Sequence, residues 1–214
     1  YFPPNERFGR PAFKTILMAI AELYRTQRAQ VVESSEQLLN MIKHKLLVSS
    51  EIQESIIDKG ASTILKSADT LYGGFGRAPK FPMAGAIEFL LSRYFFTRDE
   101  SLATMLRKTL TSMARGGFHD HLAGGFHRYS TDQSWIVPHF EKMADDNAWL
   151  LRNYVDAYSI FGDPFFKDVA QGIINFTRNE LSHPDGGFYA SQDADVTPDD
   201  EGGYFTWTDN DFKA

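Results

Sequence analysis

The feature that most limits how this chain can fold is the alternation of long, glycine-rich connections with very short ones between segments of helical apolar spacing. The long connections run over about 69–82, 116–138 and 182–208, and the short ones are Thr97-Arg98-Asp99 and Phe161-Gly162-Asp163. Turns that short force antiparallel neighbours. In an up-and-down helical array the long and short links then fall on opposite ends, so the chemistry is expected on one face. Every long loop holds a Gly-Gly-aromatic step: Gly73-Gly74-Phe75, Gly116-Gly117-Phe118 with Gly124-Gly125-Phe126, and Gly186-Gly187-Phe188 with Gly202-Gly203-Tyr204. Ten of the sixteen glycines lie in these pairs, where the missing Cβ permits positive φ and close backbone approach.

Helical spacing sets the segments between the loops. Pro11 suits a first turn, and Phe13, Ile16, Leu17, Ile20, Leu23 and Tyr24 follow at helical intervals. The pattern continues less cleanly to about Lys45, as one bent helix or two. Ser50 with Gln53 forms a capping-box pattern ahead of a helix over about 51–68. A third helix is expected over 84–96, a fourth after the cap Asp99, a fifth from about His139 to Ile160, and a sixth from Asp163-Pro164 to about Leu181. Phe188–Gln192 and Tyr204–Thr208 read as a small hairpin within the last loop. The array repeats in architecture, though not in residue identity, as a helical solenoid or closed toroid would. The mixture of aromatic and charged residues in the loops favours the toroid, whose loop face makes a polar pocket.

Composition narrows the function classes. A net charge of -6 gives no reason to expect nucleic acid or an anionic membrane surface. The longest apolar run, Ile16–Ala21, is far below the roughly 18 residues of a membrane span. The first residues show neither the basic start nor the apolar stretch of a signal peptide, and without cysteine no disulfide, thiolate or zinc-thiolate chemistry is expected within this chain. A cytoplasmic setting is the default expectation.

Four of the six histidines fall between Phe118 and Lys142: His119, His121, His127 and His139. Histidine carries protons near neutral pH, and a neighbouring carboxylate such as Asp120 or Glu141 can orient it. His119 and His121 would also point the same way from an extended strand, as metal ligands or as ties to loop carbonyls, but no third ligand has diagnostic spacing. Glu141 and Lys142 are expected to open the fifth helix, where the macrodipole favours a carboxylate, with Asp145 and Asp146 one turn on. Asp193 and Asp195 would share one face of a strand as paired carboxylates or belong to an acidic surface turn. Lys80 near Phe75 reads as an anion holder or as a partner for acids across the pocket. Sugar rings stack on aromatic rings while their hydroxyls need bidentate acceptors. That makes a carbohydrate-type pocket the leading expectation. Its catalytic candidates are His119, Asp120, His127, His139, Glu141 and Asp193. Phe75, Lys80, His121, Arg128, Tyr129, Trp135, Gln192, Asp195 and Trp207 would contact substrate. Hydrolysis would need two carboxylates and epimerisation two opposed proton-transfer groups; both stay open, and no cofactor is called for.

Several stretches together carry a family resemblance: Tyr1-Phe2-Pro3-Pro4, the run Tyr72–Pro82, Ala114-Arg115-Gly116-Gly117-Phe118, Gly124–Tyr129, Trp135–Met143 and Gln192-Asp193-Ala194-Asp195. They closely resemble the YyaL-type, spermatogenesis-associated thioredoxin-domain proteins. That resemblance implies a thioredoxin-like domain followed by an α/α toroid of the six-hairpin glycosidase class, related in shape to N-acylglucosamine 2-epimerases. On it, residues 1–46 would be the tail helix of the first domain and residues 47–214 the opening half of the toroid, all-α apart from the small hairpin. The redox motif would lie upstream of Tyr1. A half ring leaves an apolar edge exposed, so it would be a fragment or be completed by a second copy. A non-catalytic role, presenting partners to the attached thioredoxin-like domain, is the alternative.

Overall fold

The structure is a computed structural model and describes residues 2–7, 9–46, 53–197 and 200–211. Ser50 and Ile52, at the expected start of the second helix, and Pro198 and Asp199 in the last loop lie outside the described residues. The chain forms two compact units, Tyr1–Gln53 and Glu54–Ala214.

The first unit holds two helices, α1 (Phe13–Thr26) and α2 (Arg28–Leu46). The backbone breaks at Gln27, with φ -133° and ψ 38°, so the weakening of the apolar pattern marks two helices and not one bent one. Ala12 is the N-cap of α1, which leaves Pro11 just ahead of the first turn.

The second unit is a run of antiparallel helical hairpins, a partial α/α toroid. Its helices are α3 (Ser55–Leu65), α4 (Ala84–Thr97), α5 (Glu100–Arg115), α6 (Ala144–Phe161) and α7 (Pro164–Phe176), the last extended by a π-helical turn over Thr177–Leu181. Both short turns are capped as their sequences require. Asp99 accepts from the Ser101 amide, and Asp163 accepts from the Phe165 amide with Pro164 in the first turn. The buried core takes Ile87, Leu90 and Leu91 from α4, Leu106, Leu110 and Met113 from α5, Leu150 and Tyr154 from α6, and Phe166 and Ile173 from α7. Phe118, Phe126 and Trp135 of the second long loop are equally buried.

The strands are two residues each. β1 (Tyr129–Ser130) pairs antiparallel with β2 (Pro138–His139), and β3 (Lys142–Met143) with β4 (Ser191–Gln192). Ser191 and Gln192 therefore pair with the segment before α6, not with 204–208, and among the described residues the last loop bridges to itself singly at Ser182–Phe188 and Asp195–Glu201. The β3–β4 pairing also delays the fifth expected helix: α6 begins at Ala144, so Glu141 and Lys142 lie on extended chain ahead of it. Lys80 bridges to Ser130, and with β3–β4 this joins the three long loops in series. They gather on one rim as expected.

Candidate functional site

Two loops are built on the same device, which positions everything else. Asp69-Thr70-Leu71-Tyr72-Gly73-Gly74-Phe75 and Asp120-His121-Leu122-Ala123-Gly124-Gly125-Phe126 share the pattern Asp-x-Leu-x-Gly-Gly-Phe. In each, the aspartate's amide donates to the second glycine's carbonyl, and the first glycine's amide donates back to the aspartate's carbonyl. One carboxylate oxygen accepts the next two free amides, from Leu71 and Tyr72 or from Leu122 and Ala123. The other takes a fully buried lysine: Lys80 at 2.6 Å from Asp69, Lys142 at 2.6 Å from Asp120. Each ammonium adds a backbone carbonyl, of Gln133 or Gly124, and lies against aromatic rings, Trp135 or Phe176 and Phe205. Burial pushes both carboxyls up, but the lysine and the amides outweigh it and hold them below the ordinary carboxylate range. The repeat is thus one of residue identity as well as architecture. In the third loop His183 stands in the aspartate's place, accepting from the Asp185 amide, and Phe188 is exposed where Phe75 and Phe126 are buried.

The ribbon from His127 to Met143 then separates two groups of candidate residues. Its Pro138 and Phe140, with His127, line a cavity of about 920 Å³; Arg128, Tyr129, His139 and Glu141 do not. Side chains alternate along extended chain, and one sequence cluster becomes two sites.

Away from the cavity lies a linked polar group. Arg128 Nη1 is 3.0 Å from Glu141 Oε2, which is 3.5 Å from His139 Nε2, and His139 Nδ1 is 2.6 Å from Glu201 Oε1. Tyr129 stacks on His139 with centroids 4.9 Å apart, and Phe81, half exposed, packs on Tyr129 at the same distance. Asp146, in the first turn of α6, completes the group. Burial, then the charges of Asp145 and Glu141, push its carboxyl up to about 6, against the opposing pull of Arg128. A carboxyl there exchanges its proton near neutral pH.

The remaining expected site residues have other surroundings. Phe75 and Trp135 are core residues, and Lys80 is closed off by Asp69 and Gln133. His119 is wedged against Phe126 and His121; burial first, then the charge of His121, pulls it down to about 4, and neither ring nitrogen meets a partner at hydrogen-bond geometry. His121 Nε2 lies 3.1 Å from the Gly116 carbonyl. Asp193 accepts from the Asp195 amide in a local turn, and both are exposed; no shared strand face forms. Gln192 sits half-buried in β4, and Trp207 lines the cavity. Among the described residues no group of three or more His, Asp or Glu is arranged to hold a metal ion. Glu201, Asp146, Phe140 and Phe205 were not among the expected site residues. Only Asp146 had a signal, its place one turn into a helix that follows a long loop.

No family profile matches the chain. Spermatogenesis-associated protein 20 of human and of mouse is 40% identical over 227 residues, covering 97% of this chain. The chain is homologous to spermatogenesis-associated protein 20. An uncharacterized protein of Caenorhabditis elegans is 36% identical over the whole chain. The chain spans 28% of the length of the mammalian relatives. Among solved structures, a sugar epimerase from a ruminal bacterium superposes with a TM-score of 0.57 at 15% identity, covering 65% of this chain and 40% of that one. The cellobiose 2-epimerase of Spirochaeta thermophila gives 0.55 at 15%, covering 64% and 39%. These likenesses show the α/α-toroid fold. Among the described residues no helix is long and apolar enough to cross a membrane.

Proposed function

We propose that the rim group of Arg128, Tyr129, His139, Glu141, Asp146 and Glu201 binds and processes a carbohydrate-type small molecule. The observation that carries this reading is the joining of carboxylates, a guanidinium and an imidazole in one series, hydrogen-bonded at Arg128–Glu141 and His139–Glu201 and linked by the 3.5 Å His139–Glu141 contact, beside the exposed edge of a Tyr129–Phe81 ring pair. Carboxylates and guanidinium pair with vicinal hydroxyls, and ring faces take the apolar side of a pyranose. Asp146, poised near neutrality, is the proton donor or acceptor, with Glu141 as the second carboxylate for hydrolysis or His139 as the second proton carrier for epimerisation. The fold shared with sugar epimerases supports the class of ligand. On the same reading, residues 1–46 end a thioredoxin-like domain, residues 47–214 open the toroid, and the full-length protein is cytoplasmic.

Saturation-transfer NMR of the full-length protein against a panel of mono- and disaccharides tests this. Transfer to at least one sugar is expected, and Tyr129→Ala or Glu141→Gln should abolish it while leaving the helical circular dichroism unchanged. Binding of no sugar by a folded sample overturns the reading in favour of a non-catalytic adaptor, as does sugar binding indifferent to both substitutions.

A further inference from the structure

The cavity lined by His127 and Phe140 is chemically unlike the rim group. Its walls come from the second and third long loops: His119, His127, Ile136, Val137 and Phe140 on one side, Phe205 and Trp207 on the other. At about 920 Å³ it is of the size that encloses small organic ligands. Phe140 and Phe205 stack with centroids 5.7 Å apart and planes 12° from parallel, and the ring of His127 stands edge-on to both.

His127 supplies the polar handle. Its Nδ1 lies 2.8 Å from the Phe140 carbonyl. A carbonyl can only accept, so Nδ1 carries the hydrogen and Nε2 presents a lone pair. That nitrogen has no hydrogen-bond partner among the described residues. Burial pulls the ring down to about 4, against the Phe140 carbonyl, so Nε2 stays an acceptor at neutral pH. Among the other ionisable groups of the walls, His121 Nε2 lies 3.1 Å from the Gly116 carbonyl. His119 is held neutral by burial, as His127 is, and Asp120 is closed by Lys142. Neither of these last two groups offers an unmatched charge to an ion.

We propose that this cavity is a second binding site, for a small uncharged aromatic molecule that donates one O–H or N–H hydrogen bond to His127 Nε2 while its ring lies along the Phe140–Phe205 pair. The site is independent of the sugar reading, because the ribbon presents a different set of side chains to each.

Indole and indene, its isostere without the N–H, are the probes, titrated into the full-length protein. Indole should bind saturably and roughly three- to tenfold more tightly than indene, the difference one net hydrogen bond makes. Histidine ¹⁵N spectra should show the His127 Nε2 resonance moving with indole while that of His139 stays fixed. Ile136→Trp, at a wall residue 62% exposed, should fill the mouth and remove indole binding without unfolding the chain or altering sugar transfer at the rim. Equal affinity for indole and indene overturns the proposal. So does an unmoved His127 resonance, binding that survives Ile136→Trp, or no saturable indole binding.

Discussion

Replacing Lys142 by methionine should cost the second unit about 3–5 kcal/mol, the usual loss when one partner is taken from a buried ion pair. Lys142 is fully buried and donates to Asp120 at 2.6 Å and to the Gly124 carbonyl at 3.0 Å. Methionine fills nearly the same volume against Phe176 and Phe205, so the loss is electrostatic and not a cavity. Asp120 would be left among its two amides with no cation, in a loop that also holds Gly124 against α7. The double variant Asp120→Asn/Lys142→Met keeps an oxygen for the Leu122 and Ala123 amides and removes the stranded charge; it should recover about 2 kcal/mol or more. Urea unfolding followed by circular dichroism measures both, and the single variant should melt roughly 6–20 °C lower. The pH response should also change. In the parent, Asp120 titrates in the folded state below its unfolded value, so its contribution is present above that unfolded value and lost as pH falls through the folded one. Without Lys142, burial is opposed only by the Leu122 and Ala123 amides, the folded value rises, and the deficit should shrink as pH falls from 7 towards 4. A deficit under about 1 kcal/mol, a double variant no better than the single, or a deficit that grows on acidification would refute the ion-pair account.

The glycine pairs and the buried histidines give two further tests. Gly124→Ala meets a positive φ of 77° and places its Cβ 2.4 Å from the Gly172 carbonyl oxygen, whereas Gly186→Ala, at φ 97°, meets nothing within 4 Å. The first should cost about 3–5 kcal/mol and the second about 1–2, and equal costs by urea titration would mean the close approach to α7 is not real. His119 and His127 are both pulled down to about 4 by burial, against roughly 6.5 unfolded. Through these two rings the unfolded chain binds more protons between those values, which outweighs the one proton that folded Asp146 gains near 6, and stability should fall from pH 6.5 to 4. A flat urea midpoint over that range would show that the two rings are not buried neutral.

The helices were legible because their signals are local. Asp99 and Asp163-Pro164 cap by contacts two residues away, and apolar spacing in α4 to α7 matches the buried faces. The gathering of the long loops on one rim followed from connection lengths alone. The site was only partly legible, since which face a loop residue takes depends on pairings far along the chain. His139 meets Glu201 from 62 residues on, and Lys80 donates to the Gln133 carbonyl 53 residues on. The ribbon's two-residue strands leave no alternating pattern long enough to assign Phe140 inward and Glu141 outward. One signal was present and went unread: Asp-x-Leu-x-Gly-Gly-Phe occurs twice, and a charged residue recurring at the same place in two loop turns marks an anchor more readily than a catalyst.

That recurrence bears on where the molecule loosens. Two of the three rim segments carry their own latch, a carboxylate clamped by a sunken ammonium, and each can open only by dragging a bare charge through apolar surroundings. The segment around Phe188 has an imidazole in that place and no such clamp. Fluctuation on this rim is therefore lopsided: amide protons at 183–189 exchange first, while those behind Asp69 and Asp120 wait for the helices themselves to part.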